Sequence, residues 1–206
     1  MRPSSNWVNR LPAPRLSPVF IFMLRKTAVF LSFLSLITII IIASGWVDPH
    51  PVGVLAWEQT LFPITAPAHG GRVVWLDEGV NEPFSVRLTA VFTNGNHDSR
   101  YGLLLGDKAN PLSITISPTG YAAVDLGETA VMPYAPFPHV RRDGVNEIWV
   151  DVDGEAVIVR LNRELFWQGE AVVDGGLGLK VENFGDGDFA LQTAVVDFQT
   201  LSFFAP

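Results

Sequence analysis

The 206-residue chain contains no cysteine, which excludes disulfides, thiolate metal sites, a cysteine nucleophile and lipidation at cysteine. Its formal charge of −7 averages two unlike parts: residues 1–45 carry five basic and no acidic side chains, while the other 161 carry nine basic and 21 acidic ones. A region of net charge −12 repels phosphate backbones, so the composition speaks against a nucleic-acid partner.

Residues 1–26 form a basic N-terminal segment carrying Arg2, Arg10, Arg15, Arg25 and Lys26, with a short apolar stretch from Val19 to Leu24 before the Arg-Lys pair. From Thr27 to Ala43 the chain reads TAVFLSFLSLITIIIIA, 17 residues without a charge, and Ser44 to Trp46 can extend it. This predicts a membrane-crossing helix over 27–46, stopped on its inner side by Arg25 and Lys26. The basic bias before it predicts a cytoplasmic N-terminus, a lipid bilayer as partner and a C-terminal domain outside the cell membrane. Two readings stay open. One is a single-pass signal anchor; the other is a signal peptide starting at Met23 and cleaved near Gly45, which would leave the domain secreted.

After Pro49 the continuous apolar pattern gives way to short alternating runs. Residues 47–56 read as a linker and 57–206 as a domain. Pro49, Pro51, Pro63 and Pro67 make the stretch from 48 to 71 a poor helix and fit an irregular lead-in. Val73 to Leu76 is a short strand. Phe84 to Phe92 alternates most cleanly, with Phe84, Val86, Leu88, Ala90 and Phe92 on one face. Strands follow at Tyr101 to Leu105, Leu112 to Ser117 and Tyr121 to Leu126. Asn146 to Asp153 puts Ile148, Val150 and Val152 together, and Asp153-Gly154 turns the chain back into Val157, Val159 and Leu161. Arg163 to Gln168 is read as one helical turn or a loop, Gly176 to Glu182 and Phe189 to Phe198 as further strands, and Leu201 to Phe204 as an edge strand or covering segment. Nine or ten short strands without crossover helices predict an all-β fold, an antiparallel sandwich or barrel.

Several phrases in this order carry a resemblance: Glu82-Pro-Phe-Ser-Val-Arg-Leu, Tyr101-Gly-Leu-Leu-Leu-Gly106, Ile114-Thr-Ile-Ser-Pro-Thr-Gly-Tyr121, Asn146-Glu-Ile-Trp-Val, Gly176-Leu-Gly-Leu179 and Val196-Asp-Phe198. Over residues 57 to 200 the chain resembles the concanavalin A-like lectin/glucanase domains, in the 3-keto-disaccharide hydrolase-like or laminin-G-like version. The resemblance implies a two-sheet antiparallel jelly roll with a concave face that meets carbohydrate in many relatives. The superfamily's retaining glucanases carry alternating acidic residues on one strand, because the chemistry needs two carboxyls about 5 Å apart. Asp151, Asp153 and Glu155 have that spacing, but Asp153-Gly154 reads as a turn, so the glucanase pattern is not matched and no catalytic residue is assigned.

The stretch Glu182-Asn-Phe-Gly-Asp-Gly-Asp188 offers calcium candidates in Asp186 and Asp188 without the spacing of an EF-hand, and Asn94-Gly-Asn-His-Asp98 is a second polar loop. An ordinary Gly-Asp turn is the competing reading, and no cofactor is expected. His50, His69, His97 and His139 lie too far apart in sequence to form a zinc motif. Trp149 lies opposite the apolar face of its strand, so its ring is exposed or packs at a strand edge. An exposed ring there would stack on a sugar, with Arg87 or Asp151 hydrogen-bonding its hydroxyls; Tyr121 completes the candidate ligand-binding set. Three function classes remain: a membrane-tethered module binding glycan or a partner envelope protein, a purely structural envelope domain, and a saccharide-active enzyme.

Overall fold

Strands with one apolar face are stable only when that face is covered, and two such sheets cover one another. The computed structural model describes residues 17–44, 53–61, 63–80 and 83–200. It divides into two units, Met1–Asp48 and Pro49–Pro206.

In the first unit, helix α1 runs from Pro18 to Ala43. Ser17 caps it by accepting the Phe20 N–H at 3.2 Å, and Pro18 sits in the first turn, where its missing N–H costs nothing. The stretch Phe22–Ala43 is long and apolar enough to cross a membrane, by length and composition. The helix does not stop at Arg25 and Lys26. Both are good helix formers, so a charge pair that limits burial in lipid leaves the backbone helical. The Lys26 ammonium lies 4.5 Å from the centre of the Phe22 ring one turn earlier.

The second unit holds thirteen strands among the described residues: β1 (Val54–Leu61), β2 (Ile64–Ala66), β3 (Gly71–Val80), β4 (Phe84–Asn94), β5 (Arg100–Gly106), β6 (Leu112–Ser117), β7 (Tyr121–Leu126), β8 (Thr129–Pro136), β9 (Val145–Asp153), β10 (Ala156–Leu161), β11 (Glu164–Glu170), β12 (Gly175–Glu182) and β13 (Phe189–Thr200). They form two antiparallel sheets. One has the order β1-β13-β4-β9-β10-β11, with β2 also paired to β13; the other has the order β3-β12-β5-β6-β7-β8. The result is the all-β jelly-roll sandwich.

The alternating residues face inward as expected. Phe84, Val86, Leu88, Ile148, Val150, Val157, Val159 and Val196 of the seven-stranded sheet meet Leu103, Leu105, Leu112, Ile114, Ile116, Val124, Leu177 and Leu179 of the six-stranded one, all buried. At about 25 cal/mol per Å² of apolar area this layer is the main source of stability. Phe84 stacks on Phe198 at 5.3 Å and Phe198 on Trp57 at 5.4 Å, which carries the core out to edge strand β1. Tyr101 brings a polar ring into the layer between the sheets. Its hydroxyl accepts from Asn146 Nδ2 at 3.2 Å, and burial pushes its pKa well up.

Local propensity misleads in three places. The proline-rich lead-in contains β1 and β2, because pairing with β13 satisfies their backbone while Pro63 and Pro67 fall at the strand breaks. Val54 to Ala56, at the end of the expected linker, belong to β1. Residues 164–170 form strand β11 rather than a helical turn, since Asn162 and Arg163, at φ 52° and 75°, make a two-residue hairpin after β10. The Asp153-Gly154 turn is present, with Gly154 at φ 58°, and Glu155 lies in it. Leu201 to Phe204 fall outside the described residues.

Candidate functional site

On each sheet, every second side chain points away from the core, and the two outer faces differ in kind: the buried groups without a partner are acceptors on the seven-stranded sheet and potential donors on the six-stranded one. Three of the expected ligand-binding residues share the outer face of the seven-stranded sheet. Arg87 on β4 pairs directly across from Trp149 on β9, which pairs with Arg160 on β10. Trp149 donates its indole N–H to Ser85 Oγ and Asp151 Oδ1, both at 2.7 Å, while Asp151 Oδ2 accepts from Arg160 at 2.5 Å. The Arg160 guanidinium lies 5.0 Å from the centre of the indole ring. Arg87 is held by Asp197 and, at 3.7 Å, by Glu147. Trp149 is only 2% exposed. A ring so covered presents no face for stacking, and on the same face Asp197 Oδ1 and Gln199 Oε1 are buried without a hydrogen-bond partner.

The six-stranded sheet is different. On β6, Leu112, Ile114 and Ile116 face the core, so Ser113, Thr115 and Ser117 face outward. Registration places Trp75, Gly178, Leu104, Ser113 and Asp125 in one outer row, and Val73, Lys180, Gly102, Thr115 and Ala123 in the next. The centre of this face is floored by small groups. A Cβ on Gly102 would lie 1.8 Å from the Ile114 carbonyl oxygen, so only glycine lets β5 and β6 approach there. A Cβ on Gly178 would meet the Trp75 ring at 2.9 Å; the bare position is what lets the indole lie down on the sheet. Gly178 is therefore a packing device.

Longer side chains stand around this floor. The Lys108 ammonium is 5.4 Å from the centre of the Trp75 ring, and Lys180 pairs with Glu182 at 2.7 Å. At the other end, the Arg100 guanidinium lies 3.9 Å from the centre of the Tyr134 ring and 5.3 Å from that of Phe184. Tyr134 donates its hydroxyl to Ser117 Oγ at 2.8 Å and stacks on Tyr121 at 5.0 Å. Tyr121 also lines a cleft of about 290 Å³ with Phe137 and Arg142. Beneath these walls Ser113 is 5% and Thr115 2% exposed, and the hydroxyls of both, like Arg100 Nε, have no hydrogen-bond partner. Burial raises the pKa of Asp125, against the pull of Lys180 and Arg100.

The calcium candidates stand apart from this face. Asp186 is fully exposed and its carboxylate meets His69 at 2.9 Å. Its neighbour Asn183 is fully engaged, donating to the Pro67 and Gly187 carbonyls at 3.0 and 2.6 Å and accepting from Ser99 Oγ and the Gly185 N–H at 3.0 Å each. Asn183 thus fastens the loop, and Asp188 stands exposed beside it. Among the described residues no group of three or more His, Asp or Glu side chains could hold a metal ion. Asp151 belongs to the network around Trp149, Asp153 ends β9 and Glu155 sits in the following turn, which leaves the three without a common cleft.

No protein-family model matches the chain, and no curated protein sequence does. Solved structures do. One is that of an endo-acting O-glycanase from the human gut microbiota, with TM-score 0.51 and 10% identity, over 68% of this chain and 79% of that one. A second is β-fructofuranosidase of Aspergillus kawachii in complex with glycerol, at TM-score 0.50 and 11% identity, over 73% of this chain but 28% of that one. A third is the carbohydrate-binding module CBM66 from Bacillus subtilis, at TM-score 0.43 and 14% identity, over 73% of this chain and 98% of that one. The likeness is one of fold.

Of the four expected ligand-binding residues, the structure brings Tyr121 to the six-stranded face and leaves Trp149, Arg87 and Asp151 on the other. Sequence reasoning missed Trp75, Arg100, Ser113, Thr115 and Lys180 as parts of this face. One signal was available: in Leu112-Ser-Ile-Thr-Ile-Ser117 hydroxyls alternate with core residues.

Proposed function

We propose that the β unit is a glycan-binding module and that it binds through the outer face of the six-stranded sheet. The observation that carries this reading is the pair of buried, unpartnered hydroxyls of Ser113 and Thr115 under aromatic walls. Leaving a buried polar group unsatisfied costs about 1–3 kcal/mol, a penalty that a ligand hydroxyl could relieve. Trp75 and Tyr134 supply planes for sugar rings, and Ser113, Thr115 and Arg100 supply hydrogen bonds between them. Sugar recognition of this kind needs no reacting group. The glycan-active proteins that share the fold are in keeping with it.

The same reading makes α1 a membrane anchor, with the basic N-terminal segment in the cytoplasm and the β unit outside, in the manner of a signal anchor. Its support is the stretch Phe22–Ala43, long and apolar enough to cross a membrane, with the Arg25–Lys26 pair in its first turns. The test is a glycan array probed with the full chain in detergent micelles. Signal on at least one glycan class, lost in Thr115→Val and kept in Trp149→Phe, is the expected outcome. A flat array, or equal loss in both variants, overturns the proposal.

A further inference from the structure

We propose that the six-stranded face selects a glycan carrying anionic groups, and that Arg100 is the residue that holds the anion. The inference rests on the glycan-binding reading and names its ligand class.

Three hydrogen-bond donors on this face lack a partner: Arg100 Nε, Ser113 Oγ and Thr115 Oγ1. The hydroxyls can donate or accept, but the guanidinium only donates, and it is charged. Arg100 is held between the rings of Tyr134 and Phe184, and no hydrogen bond or ion pair engages it among the described residues. Its cross-strand neighbour Glu182 is engaged by Lys180 at 2.7 Å. Rings fix the plane of a guanidinium without neutralising it. A carboxylate or sulfate oxygen would satisfy Arg100 at full charge.

The distribution of charge points the same way. Beyond residue 45 the chain carries nine basic and 21 acidic residues and contains only two lysines, Lys108 and Lys180. Both stand at this face, Lys108 beside Trp75 and Lys180 in the row of Thr115. Lys180 is paired with Glu182, and Lys108 stands in a cleft with Asp107 and Asp174, so among the described residues on this face the cation that no carboxylate engages is Arg100. An uncompensated guanidinium on an otherwise acidic surface attracts an anion to this spot. The opposite outer face shows the contrast: Arg87 and Arg160 are each paired with a carboxylate.

The experiment compares polygalacturonate with its fully methyl-esterified form, the same backbone without the charge, using the full chain in detergent micelles. Binding to the free acid should exceed binding to the ester by about tenfold or more and should weaken as salt rises from about 50 to 500 mM. Arg100→Gln should remove most of that preference, and Arg100→Lys should restore part of it. Trp149→Phe, on the other sheet, should leave it unchanged. Equal affinity for acid and ester overturns the inference while the glycan-binding reading stands; so does binding confined to neutral glycans on the array. Silence toward every glycan overturns the reading itself. Inorganic phosphate at millimolar concentration should not displace the polymer; full displacement would mark a free-anion site and overturn both. The acid–ester comparison and the salt series use the native chain, so they decide the matter even where Arg100→Gln fails to fold.

Discussion

Trp149 and Asp125 show how burial gives opposite meanings to two polar side chains on outer faces. Trp149 divides its single N–H between Ser85 and Asp151, and Arg160 closes the set. Trp149→Phe keeps the bulk and deletes the donor. We expect it to cost about 1–3 kcal/mol in a urea titration, since buried Ser85 Oγ and half-buried Asp151 Oδ1 lose a partner. Asp125 has the reverse problem. Burial raises its pKa in the fold above the unfolded value, with Glu182 adding to the shift and Lys180 and Arg100 opposing it. The folded state then holds its proton to higher pH, so stability falls as pH rises from the unfolded pKa through the folded one. The cost is fully present above the folded value. Asp125→Asn should therefore be more stable than the native chain at pH 7 and lose that advantage below about pH 4, where both side chains are neutral. Denaturant midpoints at the two pH values check the sign; an advantage that grows on acidification would contradict it.

At the scale of elements, strands with strict alternation were legible because one physical requirement, a covered apolar face, writes itself into every second residue. Phe84 to Phe92 and Asn146 to Asp153 appear in the structure close to where their pattern puts them. Elements whose pairing partner is distant in sequence were not. β1 and β2 exist because β13, more than a hundred residues later, offers them a ladder, and prolines nearby conceal that. The outer faces were legible only in outline. Pattern places Trp149 opposite the core, but its coverage depends on Ser85, 64 residues away, and on Arg160 across a hairpin. Gly102 shows what close approach adds. Gly102→Ala would force a methyl group against the β6 backbone, and we expect a loss of more than about 3 kcal/mol, or no folded protein, read from the near-ultraviolet circular dichroism melt. Gly154→Ala, which has open space around its Cβ, should cost far less, about 1 kcal/mol, from its positive φ alone.

For the whole molecule, the division of charge noted in the sequence coincides with the division into two units. Mean hydropathy of +0.27 owes much to α1, whose apolar side chains are exposed. If α1 anchors the protein, alkaline carbonate should leave it in the membrane pellet, and Arg25→Glu with Lys26→Glu should reduce the fraction whose β unit is accessible to external protease. Release into the supernatant of a chain lacking residues before Gly45 would identify a cleaved signal instead.

One consequence of the strand order concerns timing. β13 lies between β1 and β4, so a late segment of the β unit is an interior strand of the seven-stranded sheet. During synthesis β1 and β4 emerge with a gap between them that nothing fills until residues 189–200 arrive. The seven-stranded sheet therefore cannot close before residues 189–200 are made, because β1 has no ladder partner until β13 takes its place beside it.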